Sequence, residues 1–460
     1  MKKSVFIFRR DLRIDDNTAL IHALKQSKEV LPIFVFDPRQ IGEGNEYKGQ
    51  AAMQFLRESL EDLEKQMEAR GAKLYFFYGK VEEVLAELFT FFSIDGVFVN
   101  RDYTPFSLKR DAKIEAICTK HSLEFHSYHD AILLPPEFIT RERKPYTIYT
   151  FFARKAREFP VQLPEQNHHQ NYFTGDIISQ VNPQEIYKKV FGELRFLAQK
   201  GGREIGFQAL GKMDEFKNFQ EERNFPALHK TTLLSAHNKF GTISIREFYY
   251  AVVGRFGVNH TLINELYWRD FFTHIAFHFP KVFGHAFNDK YNEISWENNL
   301  QKFKAWCEGK TGFPIVDAGM RELNESGFMH NRVRMIVASF LMKDLHIDWR
   351  WGEKYFAQKL VDYDPAVNNG NWQWAASTGC DAQPYFRIFN PWLQQKRFDS
   401  EAEYIKKWVP ELQELSSKEI HDLEKKRPLL LQNYPLPIVH HSEVSKFAKE
   451  MYAHIGKLQP

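Results

Sequence analysis

The chain has 460 residues and a net charge of only +3, from 62 basic and 59 acidic side chains, with 43% hydrophobic and 26% charged residues. This balance excludes a disordered or fibrous chain, and it excludes nucleic-acid binding by overall charge, so any phosphate-binding surface must come from local Lys and Arg clusters. Three distant cysteines (Cys118, Cys307, Cys380) exclude a disulfide framework and a CxxC metal knuckle. No apolar run reaches the roughly 18–20 residues of a membrane span, and no export signal precedes the first strand-like stretch, so reduced thiols in a cytoplasmic protein are expected.

From Ser4 to Tyr128, β-branched and aromatic runs (Val5–Phe8, Val30–Phe36, Lys73–Tyr78, Gly96–Asn100, Leu123–Tyr128) alternate with helical patterns (Asn17–Lys28, Gln50–Arg70, Val81–Phe92, Ser107–His121). Such alternation predicts an α/β domain over residues 1–130, a doubly wound parallel sheet with helices on both faces. The first strand runs into Arg9-Arg10-Asp11-Leu12-Arg13 instead of a glycine fingerprint, so the usual dinucleotide turn is absent. The three arginines read equally well as a solvated strand end or as part of a site. Residues 131–205, with Pro135-Pro136, Pro160 and Pro164, have weak periodicity and read as a linker. Strand signals nearly vanish beyond it, and residues 206–460 are predicted to form an all-α domain, with helices over Leu262–Phe277, Val316–Ser326, Arg332–Leu345 and Glu353–Val361. All nine tryptophans lie between Trp268 and Trp408, so the two domains have different work.

Four stretches of the helical domain have unusual chemistry. Thr231-Thr232-Leu233-Leu234-Ser235 brings three hydroxyls to a helix start, either as phosphate ligands or as plain N-caps. Glu265 and Trp268 share a helical face beside Arg269, and His330-Asn331-Arg332-Val333-Arg334-Met335 sets an amide, two guanidiniums and a thioether within two turns. Clusters of this kind line a cavity or form an interhelical salt-bridge network. The fourth stretch, Asp362-Tyr363-Asp364-Pro365 with Asn368-Asn369-Gly370-Asn371-Trp372-Gln373-Trp374 and on to Gly379, combines carboxylates, amides, small residues and indoles. Its composition points to a large heterocyclic cofactor, with small residues allowing a flat ligand close.

With these segments, the chain resembles the photolyase/cryptochrome family, and within it the class I cyclobutane-dimer DNA photolyases. The resemblance runs from Phe8–Arg13 through Arg223-Asn224-Phe225-Pro226 and Lys310–Ala318 to Tyr385–Pro391. It implies a helical domain that binds FAD: Thr231, Thr232 and Ser235 at its phosphates, Phe219, Leu233, Leu234 and Tyr363 around it, Asp362 (paired to Arg334) and Asp364 along it, and Asn368 at flavin N5. It implies UV-damaged DNA as partner and a pyrimidine dimer flipped out of the duplex. Glu265 would hold the dimer, Trp268 and Trp374 would pack against it, and Asn331 and Met335 would complete the wall. Arg223, Arg269 and Arg332 would meet DNA phosphates at the rim. Trp372, Trp349 and Trp296 would relay electrons to the flavin. Metal is not expected. Asn331 stands where enzymes of the (6-4) type carry His, and Asn368 where blue-light signalling cryptochromes tend to carry an acid or a thiol. Phe219 replaces a usual Tyr. For a light-harvesting antenna, Asp102 and Lys239 favour a deazaflavin over methenyltetrahydrofolate, whose Asn-Glu pair is replaced by Phe106-Ser107, while Thr104 in place of an acidic partner and a basic partner missing near Ala52 leave an empty site as the alternative. The acting unit is expected to be a monomer.

Overall fold

A computed structural model describes residues 1–142, 144–177, 179–426, 431 and 433–457. The N-terminal strands β1 (Lys3–Phe8), β2 (Glu29–Phe36), β3 (Tyr75–Tyr78), β4 (Gly96–Asn100) and β5 (Glu124–Tyr128) form one parallel sheet in the order β3-β2-β1-β4-β5. The sequence runs are apolar on both faces because helices cover both. Phe6, Phe8, Phe34, Phe36 and Phe98 pack against helices α1 (Thr18–Gln26) and α2 (Gln50–Glu68). Val5, Ile7, Ile33, Val35 and Val99 pack against α3 (Val81–Phe91) and α4 (Pro105–Lys120). The periodicity therefore predicted each element to within a few residues.

The linker is more structured than its prolines imply. It contains a two-turn helix, α5 (Tyr149–Ala156), and divides its packing between the domains. Its first half is gripped by α6 (Thr261–His278): Arg269 donates to the Ala131 carbonyl at 2.6 Å, and Asp270 accepts from the Leu133 amide at 2.9 Å. Farther along the same helix, His274 bonds the Leu134 carbonyl at 3.0 Å. The second half returns to the sheet, where Asn171 and Phe173 exchange backbone bonds with Val30. Buried backbone must find partners, and here each domain supplies them.

The helical domain is built on α6, α7 (Pro314–Ser326), α8 (Asn331–Lys343), α9 (Trp349–Lys359) and α10 (Pro365–Ala376). The Lys310–Ala318 motif is explained by Asp317. Its buried carboxylate accepts from the Thr311 amide and hydroxyl (2.7 Å each), the Gly312 amide (3.0 Å) and the Tyr434 hydroxyl (2.6 Å). Gly312 has φ +79° and lies against the Leu436 backbone, where a Cβ would come within 2.4 Å. The glycine is needed for both reasons.

The arginines after β1 are ion-paired, Arg13 buried and Arg9 and Arg10 largely so, which decides against the reading of a solvated strand end. Arg9 pairs with Asp111 at 2.9 Å. Arg13 pairs with Asp130 at 2.6 Å, and Arg246 of the helical domain meets the same carboxylate at 2.8 Å and Asp16 at 3.0 Å. Asp130 is thus shared by two guanidiniums from two domains. Removing one member of a buried pair strands the other charge and costs about 3–5 kcal/mol. Asp130→Ala is accordingly expected to lower the unfolding free energy by about that amount, measured by urea denaturation, with Asp130→Asn intermediate.

Candidate functional site

A cavity of about 540 Å³ opens between α6, α8, α9, α10 and the Thr231–Ser235 loop. Of the site residues named from the sequence, all line it except Arg332, Trp296 and Trp349.

Its ionic end lies against the N-terminal domain. Asp364 is the N-cap of α10, accepting from the amides of Ala366 (3.0 Å) and Val367 (3.2 Å). Its other oxygen meets Arg10 Nη2 at 2.5 Å, and Arg10 Nη1 reaches Asp102 at 3.2 Å. Burial alone would raise the Asp364 pKa, but Arg10, Lys239 and Arg269 hold it well below the ordinary carboxylate range. Burial likewise opposes ionisation of Asp102, yet Arg10, Lys239 and Arg110 bring it down to about 2. The Lys239 ammonium falls to about 8, through burial first and then repulsion from Arg10. Asn238 turns toward this end, and its buried Oδ1 has no hydrogen-bond partner.

The Thr231–Ser235 loop is shaped from outside the helical domain. Gln199, a buried linker residue, donates to the Ser235 hydroxyl at 3.0 Å and accepts from the Ala236 amide at 2.9 Å. Leu233 adopts φ +53°, a left-handed conformation that costs a leucine roughly 1–2 kcal/mol. This strain turns the loop around the cavity.

Along one wall, Arg334 grips Asp362 with two bonds of 3.2 and 2.9 Å. Asn368 donates its Nδ2 to the Glu353 carbonyl at 3.1 Å, which leaves Oδ1 as the acceptor available to a ligand. Glu353 is buried, its pKa raised to about 7 by that burial, and Asn369 donates to it at 3.3 Å. Gly370 of this segment, and Gly352 on α9, serve helix packing and do not line the cavity. A Cβ on Gly370 would sit 2.1 Å from the Phe272 ring, and one on Gly352 would sit 2.1 Å from the Trp372 ring. These glycines let α6 and α10 meet, and α9 and α10.

At the mouth, Arg223 donates to Glu265 at 2.5 Å while its guanidinium lies over the Phe219 ring. Asn331 and Met335 stand one turn apart on α8, their side chains in contact (Nδ2 to Sδ 3.9 Å). Arg332 points away from the cavity, bonded to Asn224 Oδ1 at 2.7 Å and stacked over Phe398. Arg269 is not a rim cation. Its guanidinium is turned inward to the carbonyls of Ala131 and Asn238, beside Asp364, so its expected role toward DNA phosphates is corrected to an internal one. Trp372 is buried between the cavity and the core, with Phe356 at 4.9 Å and Trp306 at 6.3 Å between ring centroids. Trp349 lies fully buried in the same core cluster, and half-buried Trp296 packs at its edge.

Comparison with known proteins decides the lineage. Residues 4–168 match the family described as DNA photolyase, and residues 262–454 match the FAD binding domain of DNA photolyase. The deoxyribodipyrimidine photo-lyase of Agrobacterium fabrum is 36% identical, over 98% of this chain and 97% of its own. The chain belongs to the DNA photolyase family. Among solved structures, the archaeal photolyase of Sulfolobus tokodaii, which carries two FAD molecules, is 43% identical with a TM-score of 0.90, covering 98% of this chain and 100% of its own. A class III photolyase of Agrobacterium tumefaciens is 34% identical with a TM-score of 0.89, covering 99% and 98%.

Within this photolyase fold, sequence reasoning missed Arg10, Gln199 and Asn238 as members of the cavity wall or its support. Arg10 and Gln199 come from outside the helical domain, where no local pattern points to the cavity. The cluster of arginines directly after the first strand was the one available signal.

Two expectations follow. Gly370→Ala should lower stability by about 1–3 kcal/mol through overpacking against Phe272, read as a fall in Tm. The carboxylates paired to Arg10 have depressed pKa values, so their contribution is complete above the unfolded value of ~3.9 and is lost as pH falls from ~4 toward ~2. A series of urea midpoints against pH should show that loss, and Arg10→Gln should flatten it.

Proposed function

We propose that the chain uses light to repair cyclobutane pyrimidine dimers in DNA, with FAD as its cofactor. The observation that carries this reading is a single cavity with an ionic inner end and a mouth walled by Glu265, Trp268, Asn331, Met335 and Trp374. The donor set fits FAD. Lys239, Arg269 and the hydroxyls of Thr231, Thr232 and Ser235 suit phosphates, the unpartnered Asn238 Oδ1 lacks only a donor, and the Asn368 Oδ1 suits an N–H at the flavin edge.

When bound, reduced and photoexcited, FAD supplies one electron to the dimer and takes it back after the cyclobutane ring opens. The protein's part is to bind, orient and exclude water. A dimer stacks poorly, so flipping it from the duplex costs less than flipping normal bases. Glu265 holds Arg223 through Oε1, and its second oxygen is free to accept from a base N–H. Trp268 and Trp374 offer flat apolar faces, while Asn331 reads a polar edge. Arg223 at the mouth and Arg332 outside the cavity are the proposed phosphate contacts, positioning interactions that would weaken with salt. Trp372, Trp349 and Trp296 would return electrons to oxidised flavin. One chain supplies every wall, which supports a monomer. Among the described residues no helix is long and apolar enough to cross a membrane. The proposed compartment is the cytoplasm.

For an antenna in the N-terminal domain, the sequence favoured a deazaflavin over methenyltetrahydrofolate. Asp102 is engaged by Arg10, the Tyr103 amide and Ser107, which weighs against its use as a chromophore ligand. The second FAD of the Sulfolobus tokodaii photolyase makes a flavin the competing choice. An absorption spectrum of the purified protein, with the chromophores extracted, separates the three.

The decisive test is light-dependent loss of dimers from irradiated oligonucleotide. Repair under blue light with reduced enzyme is expected; its absence, with FAD bound, would leave the signalling reading. Trp372→Phe should lose photoreduction of oxidised flavin and retain repair by chemically reduced enzyme.

A further inference from the structure

One face of the Trp268 indole, a cavity-lining ring that also packs on Phe271 and Phe272, is covered by a residue from the linker. Tyr149 lies parallel to it, with ring centroids 3.6 Å apart and an interplanar angle of 6°. Three further contacts fix that tyrosine. Its hydroxyl donates at 2.9 Å to the carbonyl of Asn264, one turn before Trp268 on α6. Its ring edge meets Phe271 at 5.9 Å. Its backbone amide donates at 3.0 Å to Asp381 in the loop that follows α10. The neighbouring Cys380 thiol donates to the Thr147 carbonyl at 2.8 Å, so the junction between linker and loop is made twice.

The loop matters because α10 carries Trp374, only seven residues before Asp381. Tyr149 therefore touches Trp268 by its ring and the Trp374 side by its backbone. A helix in the connector, outside both the cavity lining and the motifs, thus joins the Trp268 indole to the loop that follows the helix of Trp374.

The geometry points to Tyr149 as a positioning residue that fixes the Trp268 ring plane and its spacing from Trp374, and so sets selectivity for a dimer over the undamaged bases of normal DNA. This inference rests on the reading of the mouth as the lesion pocket. A free tryptophan on a helix has several rotamers, and holding one costs side-chain entropy at every binding event. The stacked phenol meets that cost in the folded protein, leaving the opposite indole face flat and ready. The phenol stays protonated, because burial and then the negative Glu265 both raise its pKa.

The test compares FAD-loaded wild type, Tyr149→Leu, Tyr149→Phe and Trp268→Ala for binding to one oligonucleotide duplex with and without a thymine dimer. Tyr149→Leu keeps apolar bulk and removes the plane. It should weaken binding to dimer-containing DNA about 3- to 10-fold, the range one aromatic pair accounts for, with binding to undamaged DNA, FAD content and flavin photoreduction unchanged. Tyr149→Phe keeps the stack and should restore the selectivity. The inference is overturned if Tyr149→Leu discriminates as wild type does, if it weakens both DNAs equally, or if Tyr149→Phe fails to rescue. Trp268→Ala separates the two levels. Should it leave dimer binding intact, the lesion-pocket reading itself fails; should it alone lose dimer binding, only the role of Tyr149 does.

Discussion

The contact between Arg10 and Asp364 is the constraint on which the rest of this structure depends. Arg10 stands just beyond a strand of the parallel sheet, and Asp364 caps the helix that carries Asn368, Trp372 and Trp374. One ion pair thus sets the height of that helix relative to the other domain. A lone buried pair would be poor value, since desolvation offsets most of its attraction. Here the pair sits in a group with Asp102, Lys239 and Arg269, and a second group around Asp130 and Asp16 repeats the arrangement with Arg13 and Arg246. The crevice at the carboxyl ends of β1 and β4 is where an open parallel sheet usually binds a ligand. This protein spends much of it on fastening the domains.

Fastening explains why the connector is not loose. Its backbone polar groups go to Asp270, His274 and Arg269 on one side and to Val30 on the other. Gln199, near its end, shapes the Thr231–Ser235 loop. The cavity is lined by the helical domain alone, but its Asp364 end and its Thr231–Ser235 loop are braced from outside by Arg10 and Gln199, so it is rigid only if all three parts are held together.

The N-terminal domain was legible because period-2 and period-3.6 patterns report burial locally, and Phe6, Phe8, Val5 and Ile7 show both buried faces of one strand within four residues. The cavity was legible through its chemistry, since Glu265, Asn331, Arg334, Asp362 and Asn368 are polar groups in apolar helices. What the pattern could not report is direction. Arg269 reads in sequence like Arg223, yet one turns to carbonyls inside and the other to Glu265 at the mouth, a difference fixed by the linker backbone lying beneath. Gly370 reads as room for a ligand and is room for Phe272. Gln199 and Tyr149 carry no signal at all, because their importance lies in what they touch across more than thirty residues of chain.

The cavity is also unequal along its length, and the inequality suits the chemistry proposed for it. The inner end is charged and cross-linked by ion pairs, which suits a cofactor that stays. The mouth is walled by the Arg223–Glu265 pair, the Asn331 amide, a thioether and two indoles, mainly apolar surfaces with few polar groups, which suit a substrate that comes and goes. Between them stands Asn368, neutral and committed by its nitrogen to the Glu353 carbonyl. An ion there would pin charge beside a group meant to give up and recover an electron; an amide does not. The ionic seam that holds the domains can therefore be strong while the residue expected beside the flavin edge stays neutral, and the roughly 12 Å of helix between Asp364 and Trp372 keep that seam apart from the indole.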